Sequence, residues 1–238
     1  MTLNQGVRTL RHSREGGNPC LNHRFYSCEP QRRASRPEAR HTRTAMYGLV
    51  LAGGQSSRLG QDKTHVVHEG RTLLVRSAEL LRRHMPEVYV SCRHPERVPA
   101  PWPVIVDETE RIGPAGGIMT ALKKLGGPVF ALACDLPFME DSFITRLLEA
   151  REARPKGALV TAWRLMDSDF FENLVAIYEP GALPLLEAGV RQGLYKLGRL
   201  IPAEHRHCVS YTEEERRFFF NVNYPDDLRL LQTSPDRP

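Results

Sequence analysis

The stretch LAGGQSSRLGQDK, residues 51–63, concentrates residue types that handle phosphate. Gly53 and Gly54 allow a close approach of the backbone and leave amide groups to face an anion. Ser56 and Ser57 add hydroxyl donors, and Arg58 and Lys63 bring two positive charges into one loop. Such a pair opposes the charge of a polyphosphate and stabilises a phosphorus centre in transfer. Other polar residues follow apolar runs: Asp107 after PVIV, Asp135 after PVFALAC, and Asn221 and Asn223 after RFFF. A lone carboxylate at Asp135 suits magnesium, which takes one or two protein carboxylates plus phosphates and water; it suits equally the cap of a turn. Asp107 fits a nucleotide contact, a metal-bound water, or the start of a turn. Asn221 and Asn223 lie two apart, so on a strand both face one way. They would orient a phosphate or a metal-bound water, or else form a turn before Pro225.

Several chemistries are excluded. The loop is not a P-loop, since no G-x-x-x-x-G-K-[ST] occurs, and the G-x-G-x-x-G dinucleotide fingerprint is absent. There is no convincing Ser-His-Asp or Cys-His set. His65 and His68 read as solvated or packed rather than metal-ligating. Cys20, Cys28, Cys92, Cys134 and Cys208 form no C-x-x-C pair, and Cys20 and Cys28 with His12 and His23 match no compact zinc site. Free thiols in a reducing cytoplasm are the expectation. No run approaches the roughly 18–20 apolar residues of a membrane span, so no membrane partner is expected.

The net charge of +5 is unevenly spread. Residues 1–45 carry nine arginines, no lysine and three glutamates, a net +6, which leaves −1 for the rest. The near-neutral body speaks against a nucleic-acid partner. Residues 1–45 lack helical or strand periodicity and large aliphatics, and are expected to be a disordered or misassigned extension.

The elements that must position these residues alternate from Met46 onward. Strands are expected at 47–52, 87–92, 103–107, 128–135, 158–163, 173–179 and 217–223. Helices are expected at 71–84, with Leu74, Ala78 and Leu81 on one face, and at 114–125. Others are expected at 143–153 with Asp141 or Ser142 as cap, at 181–193 with an interruption at Pro184, and at 225–232. Gly113, Gly116 and Gly117 suit a tight turn followed by close helix packing. Phe218, Phe219 and Phe220 read as core strand, and EEERR (213–217) as a solvated charge run. The alternation predicts a three-layer αβα, Rossmann-like fold with a mainly parallel sheet, in one domain over 46–232 with a tail at 233–238.

LAGGQSSRLGQDK resembles the L-A-G-G-x-S-x-R-[apolar]-G-x-x-K signature of nucleotidyltransferases with the nucleotide-diphospho-sugar transferase fold. VIVDETERIGPAGGI, ALACDLPFM and FFNVNYPDDL match further segments in order, so the resemblance covers roughly 46–232. Within that superfamily the chain most resembles the molybdenum cofactor guanylyltransferases. The resemblance implies transfer of GMP from GTP to molybdopterin, release of pyrophosphate, and Mg2+ as cofactor. It implies nucleotide binding by Leu51, Ala52, Gly53, Gly54, Lys63, Asp107 and Asp135, catalysis by Arg58 and Lys63, and metal binding by Asp135. It also implies contact with other cofactor-biosynthesis proteins or molybdoenzymes. One departure stands out: Glu172-Asn173 replaces a His-Pro pair that many members carry, which bears on the acceptor. The alternatives are a cytidylyltransferase of the same cofactor pathway, another nucleotidyltransferase with a different phosphorylated acceptor, or a non-catalytic nucleotide- or molybdopterin-binding protein.

Overall fold

The computed structural model describes residues 45–53, 65–99, 101–107 and 112–233. The leader and the C-terminal tail fall outside this range, apart from Ala45 and Thr233.

A seven-stranded sheet forms the middle layer. Its strands are β1 (Tyr47–Leu51), β4 (Glu87–Cys92), β5 (Val104–Val106), β6 (Val129–Ala133), β7 (Val160–Leu165), β8 (Phe171–Tyr178) and β9 (Arg206–Tyr211). Across the sheet the order is β5-β4-β1-β6-β8-β7-β9. β1 pairs in parallel with β4 and β6, β4 with β5, and β7 with β9. β8 alone runs against its neighbours β6 and β7. The sheet is therefore mainly parallel, as the alternating pattern predicts. A separate short hairpin joins β2 (Val67–His68) and β3 (Arg71–Thr72).

Both faces of the sheet are covered. α1 (Leu73–Arg82) and α3 (Asp141–Glu152) pack on one face, where Leu74, Ala78, Leu81, Phe143, Ile144 and Leu147 meet Val50, Phe130 and Leu132. α2 (Pro114–Leu125), α4 (Leu183–Arg191) and α5 (Leu197–Leu200) cover the other, meeting Leu49, Leu51, Val129 and Ala131. Successive residues of β1 and β6 thus enter opposite cores, which is why their sequences are apolar without alternation. The first face contains the predicted Leu74, Ala78 and Leu81 stripe of α1.

Thr72 caps α1, its hydroxyl accepting from the Val75 amide at 3.3 Å. Thr72→Ala should lower stability by about 1 kcal/mol, read from the midpoint of urea unfolding at unchanged slope.

Four local expectations differ from the structure. Residues 217–223 are not a strand: a 3-10 helix runs over Glu214–Phe219 and irregular chain follows. Glu215 pins that turn, accepting from the Thr212 amide at 2.9 Å and from Arg146 at 2.6 Å. So Glu215 is tied into the fold rather than simply solvated. Pro184 does not interrupt α4 but sits in its first turn, where a proline lacks no needed N–H. Glu140, not Asp141 or Ser142, precedes α3 as its cap residue, and Asp141 instead bonds Arg83 at 2.7 Å and His84 at 2.9 Å. β9 also went unforeseen, because Arg206, His207 and Ser210 interrupt its apolar pattern.

Candidate nucleotide and metal site

The first motif leaves the sheet at its centre. β1 ends at buried Leu51, whose carbonyl accepts from the Cys134 amide at 3.2 Å on the β6 side. The next residue, Ala52, donates its amide to the Ser91 carbonyl at 2.9 Å on the β4 side. The exit of β1 is thereby fixed from both flanks, and Gly53 emerges exposed beyond it. Gly54, Arg58 and Lys63 lie outside the described residues.

The second motif follows β5. The Asp107 amide donates to the Cys92 carbonyl at 3.4 Å, and Ser91 Oγ donates to Asp107 Oδ1 at 2.6 Å. Asp107 Oδ2 lies on the other side, 3.7 Å from where a Cβ on Gly53 would stand. Gly53 and Asp107 therefore face one another across the end of β4. Burial pushes the Asp107 carboxyl up from the ordinary aspartate range, and the Ser91 hydrogen bond and the Arg93 charge oppose that rise. α2 closes this corner from behind. Gly113 starts it with φ +63°, a conformation that favours glycine. A Cβ at Gly117 would stand 2.1 Å from Ser91 Oγ and 3.1 Å from Asp107 Oδ1, so only glycine permits this approach. The predicted turn and close packing of 113–117 are both present.

The third and fourth motifs meet each other. Asp135 occupies the turn after β6, and its carbonyl accepts from the Val222 amide at 3.0 Å. Val222 is fully buried between exposed Asn221 and half-buried Asn223, so the pair flanks the anchor that ties it to Asp135. A small core of Val66, Leu73, Val222 and Leu231 lies here, with Phe138, Phe220 and Leu228 against it. This core gathers the chain after the first loop, the chain after Asp135, and the closing segment. His68 packs edge-on to Phe138 at 5.9 Å and is a packed histidine, its pKa lowered mainly by burial. Asp227 Oδ2 accepts from the amides of Asn223 at 2.7 Å and Tyr224 at 2.8 Å, which fixes the start of α6 (Pro225–Thr233).

Asp135 Oδ1 is buried and takes no hydrogen bond from the described residues, although the residue is engaged by other interactions. Among the described residues no three His, Cys, Asp or Glu side chains gather as metal ligands. A lone carboxylate at the edge of an open site fits magnesium, which retains water and substrate phosphates, better than a metal that needs a closed protein cage.

Because β8 is antiparallel, its N-terminal end lies at this same edge of the sheet. β7 pairs Ala162 with Ala176 and then Trp163 with Glu172, so Asn173, Leu174 and Val175 form a bulge. Tyr178 holds the bulge, its phenol donating to the Asn173 carbonyl at 2.7 Å. Glu172 is half-buried and accepts from Tyr211 Oη at 2.6 Å; burial raises its pKa. Glu172, which the sequence tied to the acceptor, lies at this edge, and Ser91 is the polar group beside Asp107 that no sequence motif contains. The available signal at Ser91 was a hydroxyl penultimate in the strand EVYVSC.

The family model of the MobA-like NTP transferase domain matches residues 48–208. A probable molybdenum cofactor guanylyltransferase of Opitutus terrae is 34% identical over 194 residues, which is 77% of this chain and 93% of that protein. The molybdenum cofactor biosynthesis bifunctional protein of Synechocystis is 29% identical over 78% of this chain; the chain spans about half, 53%, of that relative's length. The crystal structure of molybdopterin-guanine dinucleotide biosynthesis protein A from Archaeoglobus fulgidus superposes with a TM-score of 0.60 at 28% identity, covering 78% of this chain and 96% of that one. With Gly53, Asp107 and Asp135 all following parallel strands at one edge of the sheet, the chain belongs to the MobA-like NTP transferase family, a family of nucleotidyltransferases.

Proposed function

We propose that this protein transfers GMP from GTP to molybdopterin and releases pyrophosphate. The observation that carries the reading is the main-chain bond from Val222 to Asp135, which seats Asn221 and Asn223 beside the aspartate suited to a metal. In the reaction an oxygen of the acceptor's terminal phosphate attacks the α-phosphorus of GTP. The new P–O bond forms as the α–β P–O bond breaks, and its electron pair leaves with pyrophosphate. That acceptor oxygen is anionic at neutral pH, so no general base is required. The residues of the chain then act by positioning and charge neutralisation.

Leu51, Ala52, Gly53 and Gly54 hold the nucleotide, with Asp107 as a further contact. Arg58 and Lys63 neutralise the phosphates, Asp135 holds Mg2+, and Asn221 and Asn223 orient a phosphate or a metal-bound water. Bound magnesium supplies charge stabilisation at the reacting phosphate oxygens. The absence of C-x-x-C pairs, with Cys92, Cys134 and Cys208 outside any disulfide, supports a reducing, cytoplasmic setting. No helix among the described residues is long and apolar enough to cross a membrane. Residues 46–232 act as one catalytic domain.

The test is pyrophosphate release with GTP, CTP, ATP and UTP, each with and without molybdopterin. Release with GTP that rises on adding molybdopterin is expected. Activity with CTP alone would transfer the assignment to a cytidylyltransferase, and nucleotide binding without pyrophosphate would mark a non-catalytic binder.

A further inference from the structure

Ser91 is almost fully buried, has no part in the sequence motifs, and yet spends its hydroxyl on a carboxylate at the site. Three features of its surroundings bear on what that contact does. The bond at 2.6 Å goes to Asp107 Oδ1 only, and Oδ2 is the oxygen beside Gly53. A carboxyl group has one rotational freedom about its last bond, so holding Oδ1 fixes where Oδ2 stands. Second, Ser91 serves the site twice, since its carbonyl also holds the amide of Ala52. One residue of β4 thus ties the exit of β1 to the end of β5. Third, α2 keeps Gly117 against the hydroxyl, in a space where a Cβ would come within 2.1 Å of Ser91 Oγ. The helix leaves room for the Ser91–Asp107 bond and for nothing larger.

We propose that Ser91 is a positioning residue for nucleotide binding, which orients the Asp107 carboxylate so that Oδ2 is presented to the nucleoside held at Gly53. The inference rests on the nucleotidyltransferase reading of this site. A carboxylate oxygen accepts hydrogen bonds and repels phosphate, so its partner on a nucleoside triphosphate is a sugar hydroxyl or a base N–H. Ser91 also supplies a donor that opposes the upward push of burial on the Asp107 carboxyl. Its contribution appears in ground-state binding of the nucleotide rather than at the reacting phosphorus, which lies with the cations and the metal.

The experiment is a double-mutant cycle on binding of magnesium nucleoside triphosphate, with GTP as the first probe and CTP, ATP and UTP beside it. Ser91→Ala should weaken GTP binding about tenfold and raise the KM for GTP similarly, with kcat changed less than about threefold. In an Asp107→Ala background the same change should have almost no effect, because the group it acts on is gone. Gly117→Ala should weaken binding as Ser91→Ala does, by driving the hydroxyl off Asp107. Thermal melts of all variants keep loss of fold apart from loss of binding. Undiminished GTP affinity in Ser91→Ala, or an equal penalty with and without Asp107, overturns the proposal. A wild-type protein that binds CTP but not GTP overturns the guanylyl reading, and the cycle is then decided with CTP. A wild type that binds none of the four overturns both.

Discussion

Asp135→Asn is expected to lower pyrophosphate release from GTP by about a thousandfold or more while leaving the protein folded. The side chain keeps its shape and loses its charge. Its main-chain tie to Val222 does not depend on the carboxylate, and the turn after β6 is held from the other side by the bond from Cys134 to Leu51. Structure therefore persists, and what is lost is the anionic oxygen Oδ1, which is buried at the edge of the site. Asparagine presents at best a neutral carbonyl there, a poor ligand for a hard divalent cation. Chelation of divalent metal should silence the wild type to the same degree and leave the variant's residual rate unmoved. Lys63→Ala should be comparably damaging, by removing one of the two charges proposed to neutralise the phosphates; Lys63 lies outside the described residues. Full turnover in Asp135→Asn would remove this residue from the chemistry.

The second large effect is on stability. Trp163→Ala should lower it by about 3–5 kcal/mol, read by urea unfolding, a large part of the roughly 5–15 kcal/mol typical of a domain. Trp163 is fully buried in β7. Its ring meets Phe143 at 5.2 Å, Phe219 at 5.9 Å and Tyr211 at 6.5 Å, and the Arg146 guanidinium lies over it at 4.6 Å. Removal opens a cavity bounded by α3, β9 and the 3-10 helix, elements that cannot close in without losing their other partners. Trp163→Phe should cost much less, because the indole N–H makes no hydrogen bond among the described residues. The same cluster sets the course of the closing segment. Phe219 stacks on Tyr211 at 4.1 Å, and two residues later Asn221 begins the motif that reaches Asp135. Trp163→Ala should therefore also raise the KM for the acceptor before it unfolds the protein. A stability loss below about 1 kcal/mol would show that the cluster is peripheral.

The closing segment shows how sequence and structure divide the information. RFFFNVN reads as a strand because aromatic residues favour extended chain and Asn-x-Asn has period two. The chain instead coils through Glu214–Phe219, since Glu215 is held by Arg146 and Phe219 has a better place against Phe143, Trp163 and Tyr211. Val222 is still buried, with exposed Asn221 and half-buried Asn223 on either side of it. The period survives although the strand does not. Pro184 gives a parallel case, because a proline inside a helical pattern reads as a break until the helix start is known.

Residue type and local spacing alone determined the αβα layering, the strands β1, β4 and β6, and the exit points where Gly53, Asp107 and Asp135 stand. These follow from apolar runs that end at glycine, aspartate or proline, and such signals are contained within a few residues of chain. Only the tertiary structure decided which exits face each other. The direction of β8, the bond from Val222 to Asp135, and the Ser91 hydroxyl turned onto Asp107 under Gly117 all depend on packing between distant segments. A serine in a strand carries no mark of its partner, because the partner is chosen by the helix that leaves it only one direction to point.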